Sequence, residues 1–233
     1  EAFRSGKTID KLYVLDGCQD GPVKSITREA RKHDTIINYV AKERLDQLSE
    51  TGKHQGVIAV SAAYEYAEVE DILAAAEAKG EAPFIIILDG IEDPHNLGAI
   101  IRTANQAGAH GVIIPKRRAV GLTPTVARTS AGAINYTPVA KVTNISNTMK
   151  ELKDKGMWFV CADMDGTRMY DLDLTGPIGL VIGNEGDGVS PLVKKNCDMV
   201  ASIPMKGDID SLNASVATGV LAYEIVRQRI NKS

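Results

Sequence analysis

The run Phe84-Ile85-Ile86-Ile87-Leu88 constrains this chain more than any other stretch. Five consecutive large apolar residues leave the segment no polar face. A strand of that kind must be buried on both sides, as in a parallel sheet covered by helices on both faces. Residues 111–114, 157–161, 178–182 and 200–203 read as further strands. Helical patterns lie between them. Leu97, Ile100, Ile101 and Ala104 recur at i, i+3, i+4, i+7, with Gly108 as a stop, and Val216, Val220, Tyr223, Val226 and Ile230 mark a C-terminal helix. Strands alternating with helices predict an α/β fold with a parallel sheet.

A smaller α/β module precedes this block. Residues 12–15, 35–40 and 56–60 read as strands, and 23–33 and 42–48 as helices. The predicted organisation is a small domain over 1–62, a connector over 63–81 and a larger domain over 82–233. In the connector, the acidic stretch from Tyr64 to Asp71 leads into an alanine-rich helix over 72–79 that ends near Gly80. It reads as a solvated linker.

Composition excludes several classes. No apolar run approaches the roughly 18 residues needed to span a bilayer, so no membrane association is expected. The first residues, Glu1-Ala2-Phe3-Arg4-Ser5, are polar and unlike a secretory signal. Cys18, Cys161 and Cys197 stand far apart, which argues against a disulfide framework or a zinc site. No metal is expected, and a reducing cytoplasm fits. The net charge of −3 is concentrated. Residues 63–81 hold one lysine against six acidic residues, whereas 1–62 and 82–233 are each net +1. Local basic surface is therefore compatible with a polyanionic partner.

Ligands of open parallel sheets gather at the C-terminal ends of the strands, and the unusual residues fall there. After Leu88 come Asp93, Asn96 and Arg102. Alone, they read as a helix cap, by Asp93 or Asn96, and a surface arginine. After Ile182 comes Gly183-Asn184-Glu185-Gly186-Asp187-Gly188-Val189-Ser190-Pro191. Its glycines permit positive φ and close backbone approach, and Ser190-Pro191 reads as a helix start. It is neither a dinucleotide fingerprint nor a P-loop, and a tight turn does not require Glu185. After Ile203 come Pro204, Met205, Ser211, Leu212, Asn213 and Ser215. Three polar side chains exceed what one N-cap needs, leaving capping and function equally open. Pro115-Lys116-Arg117-Arg118 sets three cations at another strand end, a pattern suited to phosphate contacts.

In this order and spacing the segments resemble the SpoU family of RNA ribose 2′-O-methyltransferases. Asn96-Leu97-Gly98-Ala99-Ile100-Ile101-Arg102 is similar to its Asn-x-Gly-x-x-x-Arg motif, and Gly183-Asn184-Glu185-Gly186 to its Gly-x-Glu-Gly motif. Ile203-Pro204-Met205 with Ser211-Leu212-Asn213-Ala214-Ser215-Val216-Ala217 is similar to its third motif. The first block resembles the L30-like substrate-binding domain that some members carry, with Lys53-His54-Gln55-Gly56 at its end. The likeness is nearest to the bacterial subgroup that methylates a guanosine ribose of 23S rRNA.

The resemblance implies a deep trefoil knot near the C-terminus of the larger domain, S-adenosylmethionine as cofactor, RNA as substrate and a homodimer with active sites near its interface. It implies that Gly183, Ile203 and Leu212 hold the adenosyl part, with Asn184, Glu185, Gly186, Met205, Asn213 and Thr129 in the cofactor set. Arg102 is the implied key catalytic residue, with Asn96, Glu185, Ser211 and Asn213 positioning it and the ribose. Lys116, Arg117, Arg118 and Arg102 are candidate RNA contacts, joined on the first helix by Lys24, Arg28, Arg31 and Lys32, a run whose plain reading is a solvated helix face. A tRNA ribose methyltransferase and a non-enzymatic RNA-binding or ribosome-assembly protein are the alternatives.

Overall fold

The computed structural model describes residues 3, 8–18, 20–49, 51–209 and 211–232. The expectation drawn from residues 1–5 lies outside these, Phe3 apart. The chain divides into two compact units, Glu1–Glu65 and Tyr66–Ser233.

The first unit holds a three-stranded sheet. Strand β1 (Ile9–Leu15) is central, parallel to β2 (Ile36–Val40) and antiparallel to β3 (Val57–Ser61). Helix α1 (Gly21–Lys32) links β1 to β2, starting with proline in its first turn, where the missing N–H costs nothing. Its residues Val23, Thr27 and Ala30 recur at helical spacing and are buried; Val23 and Ala30 join Leu12 and Val14 in one core. Helix α2 (Lys42–Leu48) buries Leu45.

The second unit begins earlier than its sequence suggests. Ala67 bridges to Ala140, and the Tyr66 hydroxyl accepts the Leu122 N–H at 3.0 Å. Helix α3 (Val69–Lys79) ends at Gly80 in the left-handed conformation, as the sequence predicts. It is not a solvated linker: Ile72 and Ala76 are fully buried. Ile72 lies so close over Gly111 that a Cβ there would stand 2.6 Å from it. The acidic residues occupy the outer face, and their density disguises an amphipathic helix as a connector.

The sheet of this unit has six parallel strands: β4 (Phe84–Asp89), β5 (Gly111–Pro115), β6 (Val139–Val142), β7 (Trp158–Arg168), β8 (Ile178–Gly183) and β9 (Met199–Ser202). Their order is β6-β5-β4-β8-β7-β9. The apolar run is the central strand β4, with Phe84 to Leu88 all buried. Strand β6 is not evident from sequence, because four residues with a lysine among them carry almost no periodic signal. Helices α4 (Pro94–Gln106), α5 (Pro124–Thr129), α6 (Ile145–Asp154), α7 (Pro191–Lys195) and α8 (Ala214–Lys232) complete the unit. Ile85, Ile87, Ile113, Met149, Phe159 and Val181 share one core with Ile72. Among the described residues, no helix is long and apolar enough to cross a membrane, and no group of acidic, histidine or cysteine side chains could hold a metal ion.

Candidate active site

The strand order reverses between β4 and β8: the chain runs outward from β4 to β5 and β6, then re-enters on the other side. Such a switch point leaves a crevice beyond the strand ends. A cavity of about 730 Å³ occupies this position, with Asp89, Asn96, Arg117, Arg118, Glu185 and Asp187 in its lining.

Each loop is held by local chemistry. Asp93 caps α4, its side chain accepting the His95 N–H at 2.8 Å, and Pro94 follows in the first turn. Asn96 is thereby left free of capping. It sits inside the helix, 7% exposed, with its amide turned toward β8. The β8 loop closes on itself. Asn184 Oδ1 accepts the Gly186 and Asp187 N–H groups at 2.9 and 2.7 Å, and Gly188 N–H donates to the Asn184 carbonyl. Gly183 runs so close to Gly188 that a Cβ would stand 2.0 Å from its carbonyl carbon. Gly183 thus serves loop closure, and the closed loop presents Glu185. Asp89 ties the loop to β4, its Oδ2 accepting the Ser190 N–H at 2.8 Å.

The three sequence segments meet on Glu185. Asn96 Nδ2 and Asn213 Nδ2 each donate to Glu185 Oε1 at 2.6 Å, and Asn213 Nδ2 also donates to Asn96 Oδ1 at 3.0 Å. Hydrogen bonds to a carboxylate are the strong kind. Asn213 both caps and joins the site, with different atoms for each role. Its Oδ1 accepts the Ser215 N–H at 3.0 Å and the Ser215 hydroxyl at 2.6 Å at the start of α8, while its Nδ2 faces the cluster. Among the described residues Glu185 Oε2 has no hydrogen-bond partner, so the cluster offers one oriented acceptor beside the cavity.

The profile of the SpoU rRNA Methylase family matches residues 83–223, and that described as RNA 2′-O ribose methyltransferase substrate binding matches residues 1–67. The chain belongs to the SpoU family. YacO of Bacillus subtilis (strain 168), provisionally named a TrmH family tRNA/rRNA methyltransferase, is 49% identical over 230 residues, spanning 98% of this chain and 92% of that protein. Among solved structures, the SpoU methyltransferase AviRb from Streptomyces viridochromogenes, in complex with the cofactor AdoMet, aligns with a TM-score of 0.66 at 28% identity, covering 99% of this chain and 87% of AviRb. The A. aeolicus TrmH/SpoU tRNA modifying enzyme aligns with a TM-score of 0.59 at 31% identity, covering 65% of this chain and 78% of that one.

The SpoU motif residues do not all converge. Asn96, Glu185 and Asn213 form the cluster, and Asn184 and Gly186 line the cavity with Glu185. Arg117 and Arg118 stand at the cavity, whereas Lys116 is outside its lining. Arg102 is exposed on α4 and has no hydrogen-bond or ionic partner among the described residues. Ser211 is exposed just ahead of Asn213, and Leu212 is half-buried. Ile203 lies one residue past β9, half-buried, and Met205 is exposed. Thr129 packs against the start of α4. Its Oγ1 lies 2.9 Å from the Thr125 carbonyl oxygen and 3.2 Å from that of Pro94, where α5 meets α4, and it is not in the cavity lining. That contact explains the glycine of the first motif: a Cβ on Gly98 would stand 1.8 Å from Thr129 Oγ1. Ser215 is one of the three polar residues the sequence singles out ahead of α8, whereas Asp89 escapes sequence reasoning; the one available signal was an aspartate ending an otherwise apolar strand.

Proposed function

We propose that this chain transfers a methyl group from S-adenosylmethionine to a ribose 2′-hydroxyl of RNA, with a guanosine of 23S rRNA as target. The observation that carries the reading is the Asn96–Glu185–Asn213 cluster, formed by three distant segments at the sheet's switch point. A non-enzymatic scaffold has no need of a carboxylate held by two side-chain amides beside a cavity.

The residues fit the cofactor in kind. An adenosyl group needs an apolar slot for its ring and polar partners for its sugar. Ile203, Met205 and Leu212, on irregular backbone between β9 and α8, would supply the first, and Glu185 with Asn213 the second. Bound there, the sulfonium supplies an electrophilic methyl group. The protein's own task is to align the acceptor and manage one proton. In-line alignment of reacting atoms can contribute several kcal/mol, up to about 7–11. Glu185 Oε2 is placed to accept a hydrogen bond from a sugar hydroxyl. Arg102 orients that hydroxyl and its neighbouring phosphate. It is a poor proton acceptor, since a guanidinium stays charged to above about pH 12. Arg117 and Arg118 hold the RNA backbone at the cavity mouth.

The reading extends to a trefoil knot in the stretch carrying β8, β9 and the start of α8, an L30-like RNA-binding role for the first unit, a homodimer and a cytoplasmic setting. The likeness to SpoU structures supports the first, and three unpaired cysteines support the last. tRNA is the second acceptor to weigh, favoured by the likeness to the A. aeolicus tRNA modifying enzyme. Transfer of labelled methyl to purified 23S rRNA and to tRNA decides between them. Label in 23S rRNA alone is expected; label in tRNA alone overturns the target, and label in neither overturns the function.

A further inference from the structure

We propose that α1 and the outer edge of β2 form a platform that stacks an unpaired RNA base on Tyr39 and tracks the adjoining phosphates with Lys24, Arg28 and Arg31. This rests on the RNA reading above and names the surface of the first unit that engages the strand.

The placement follows from helix geometry. Val23, Thr27 and Ala30 form the buried stripe of α1. Lys24, Arg28 and Arg31 follow that stripe one position on, at i, i+4 and i+7, and all three are exposed. They form a row whose members are about 6 and 4.5 Å apart along the axis. Arg31 ties the C-terminal end of the row to β2, its Nη2 donating to the Tyr39 hydroxyl at 3.3 Å. Strand β2 is one of the sheet's two outer strands, paired only with β1 among the described residues. Tyr39 is 52% exposed, although an aromatic ring of this kind is ordinarily spent on a core or a partner.

The neighbouring charges sharpen the assignment. Lys32 is committed elsewhere, its Nζ 3.0 Å from Glu29 Oε2, and His33 lies 3.6 Å from the other Glu29 oxygen. Lys24 and Arg28 have no ionic partner among the described residues, which leaves them for an external anion. Cations beside an exposed ring whose edge is already met by an arginine are the parts of a single-strand site: a groove of positive charge and a stacking face. Duplex RNA, whose bases are stacked inside, could use the cations but not the ring.

The test uses the full chain and two labelled RNAs, a stem with a wide unpaired loop and the same stem as a blunt duplex, titrated by fluorescence anisotropy at several salt concentrations. Tyr39→Ala is expected to weaken loop binding about 5- to 100-fold and to leave duplex binding unchanged. Tyr39→Phe is expected to keep loop affinity. Lys24→Gln and Arg28→Gln are each expected to lower the slope of log affinity against log salt by about 0.7. Unchanged melting temperatures show that the variants fold. Loop affinity that Tyr39→Ala leaves intact, equal loss on loop and duplex, or loss in Tyr39→Phe as large as in Tyr39→Ala overturns the platform alone. A wild-type chain that binds neither RNA overturns the RNA reading and the platform with it.

Discussion

Replacing Gly98 by alanine tests how the α4–α5 contact holds the site. An added Cβ would stand 1.8 Å from Thr129 Oγ1, 2.7 Å from Thr129 Cβ and 3.0 Å from the Ser130 backbone nitrogen. Rotating Thr129 relieves only the first of these, so α5 must move. Overpacking of this kind costs about 1–3 kcal/mol. Displacing the Thr129 hydroxyl from the Thr125 and Pro94 carbonyls adds about 0.5–1.5 kcal/mol. A total of about 1.5–4.5 kcal/mol corresponds to a fall of roughly 3–18 °C in melting temperature for a unit of this size. Function should suffer too, because Asn96, a positioning residue of the proposed site, sits two residues before Gly98, and a shift near 1 Å there would cost about 100-fold in rate. The double variant Gly98→Ala/Thr129→Gly removes both clashing side-chain atoms and should recover at least half the lost stability. Differential scanning fluorimetry and methyl-transfer kinetics on the three proteins provide the readout. A Gly98→Ala chain with wild-type melting and turnover would refute the packing argument.

Three further outcomes follow from other parts of the molecule. Arg102→Ala should retain cofactor affinity by calorimetry while methyl transfer falls by about 100- to 1000-fold, the usual cost of losing one oriented donor; unchanged turnover contradicts its role. Ile72→Ala should cost about 2–5 kcal/mol by urea unfolding, since Ile72 is fully buried; a change within about 0.5 kcal/mol would return α3 to a solvated linker. Burial holds the His110 imidazole below its ordinary pKa, outweighing the opposing bond to Glu81. Its Nδ1 accepts the Phe84 N–H at 3.0 Å, so protonation breaks a tie to the central strand. A depressed imidazole pKa means the unfolded chain binds the proton first, so this contribution is present above about pH 6.5 and lost as pH falls below it. Melting temperatures of wild type and His110→Asn across that range should diverge above it and converge below; parallel curves would exclude the effect.

The sequence made the sheet legible where burial was extreme. Phe84 to Leu88 reads as a buried parallel strand, and it is one, at the centre of the sheet; Leu97, Ile100, Ile101 and Ala104 read as a helix's apolar stripe and are buried. Elements whose signal was short or masked were lost: β6 has four residues, and the acidic surface of α3 hid Ile72 and Ala76. The site was legible as three motifs but not as a geometry. Nothing in spacing shows that Asp93 takes the capping role and frees Asn96, nor that Asn213 divides its two amide atoms between α8 and Glu185. The glycines at 183 and 188 read as ligand-facing, whereas close backbone approach within their own loop requires the first. Thr129 belongs to the packing of α4 on α5, a contact over 35 residues of sequence that no local pattern encodes.

The most direct test is nucleoside mass spectrometry of 23S rRNA after incubation with labelled S-adenosylmethionine and either the wild-type chain or Glu185→Gln. The amide keeps the size of the side chain and an oxygen for the bonds from Asn96 and Asn213, but it removes the charge and puts an NH2 donor where the free Oε2 acceptor stands. The expected result is labelled methyl on a ribose 2′-oxygen with the wild-type chain and a loss of about 100-fold or more with Glu185→Gln, both proteins folding alike. Label on a base, or equal ribose methylation by the two proteins, would contradict the account.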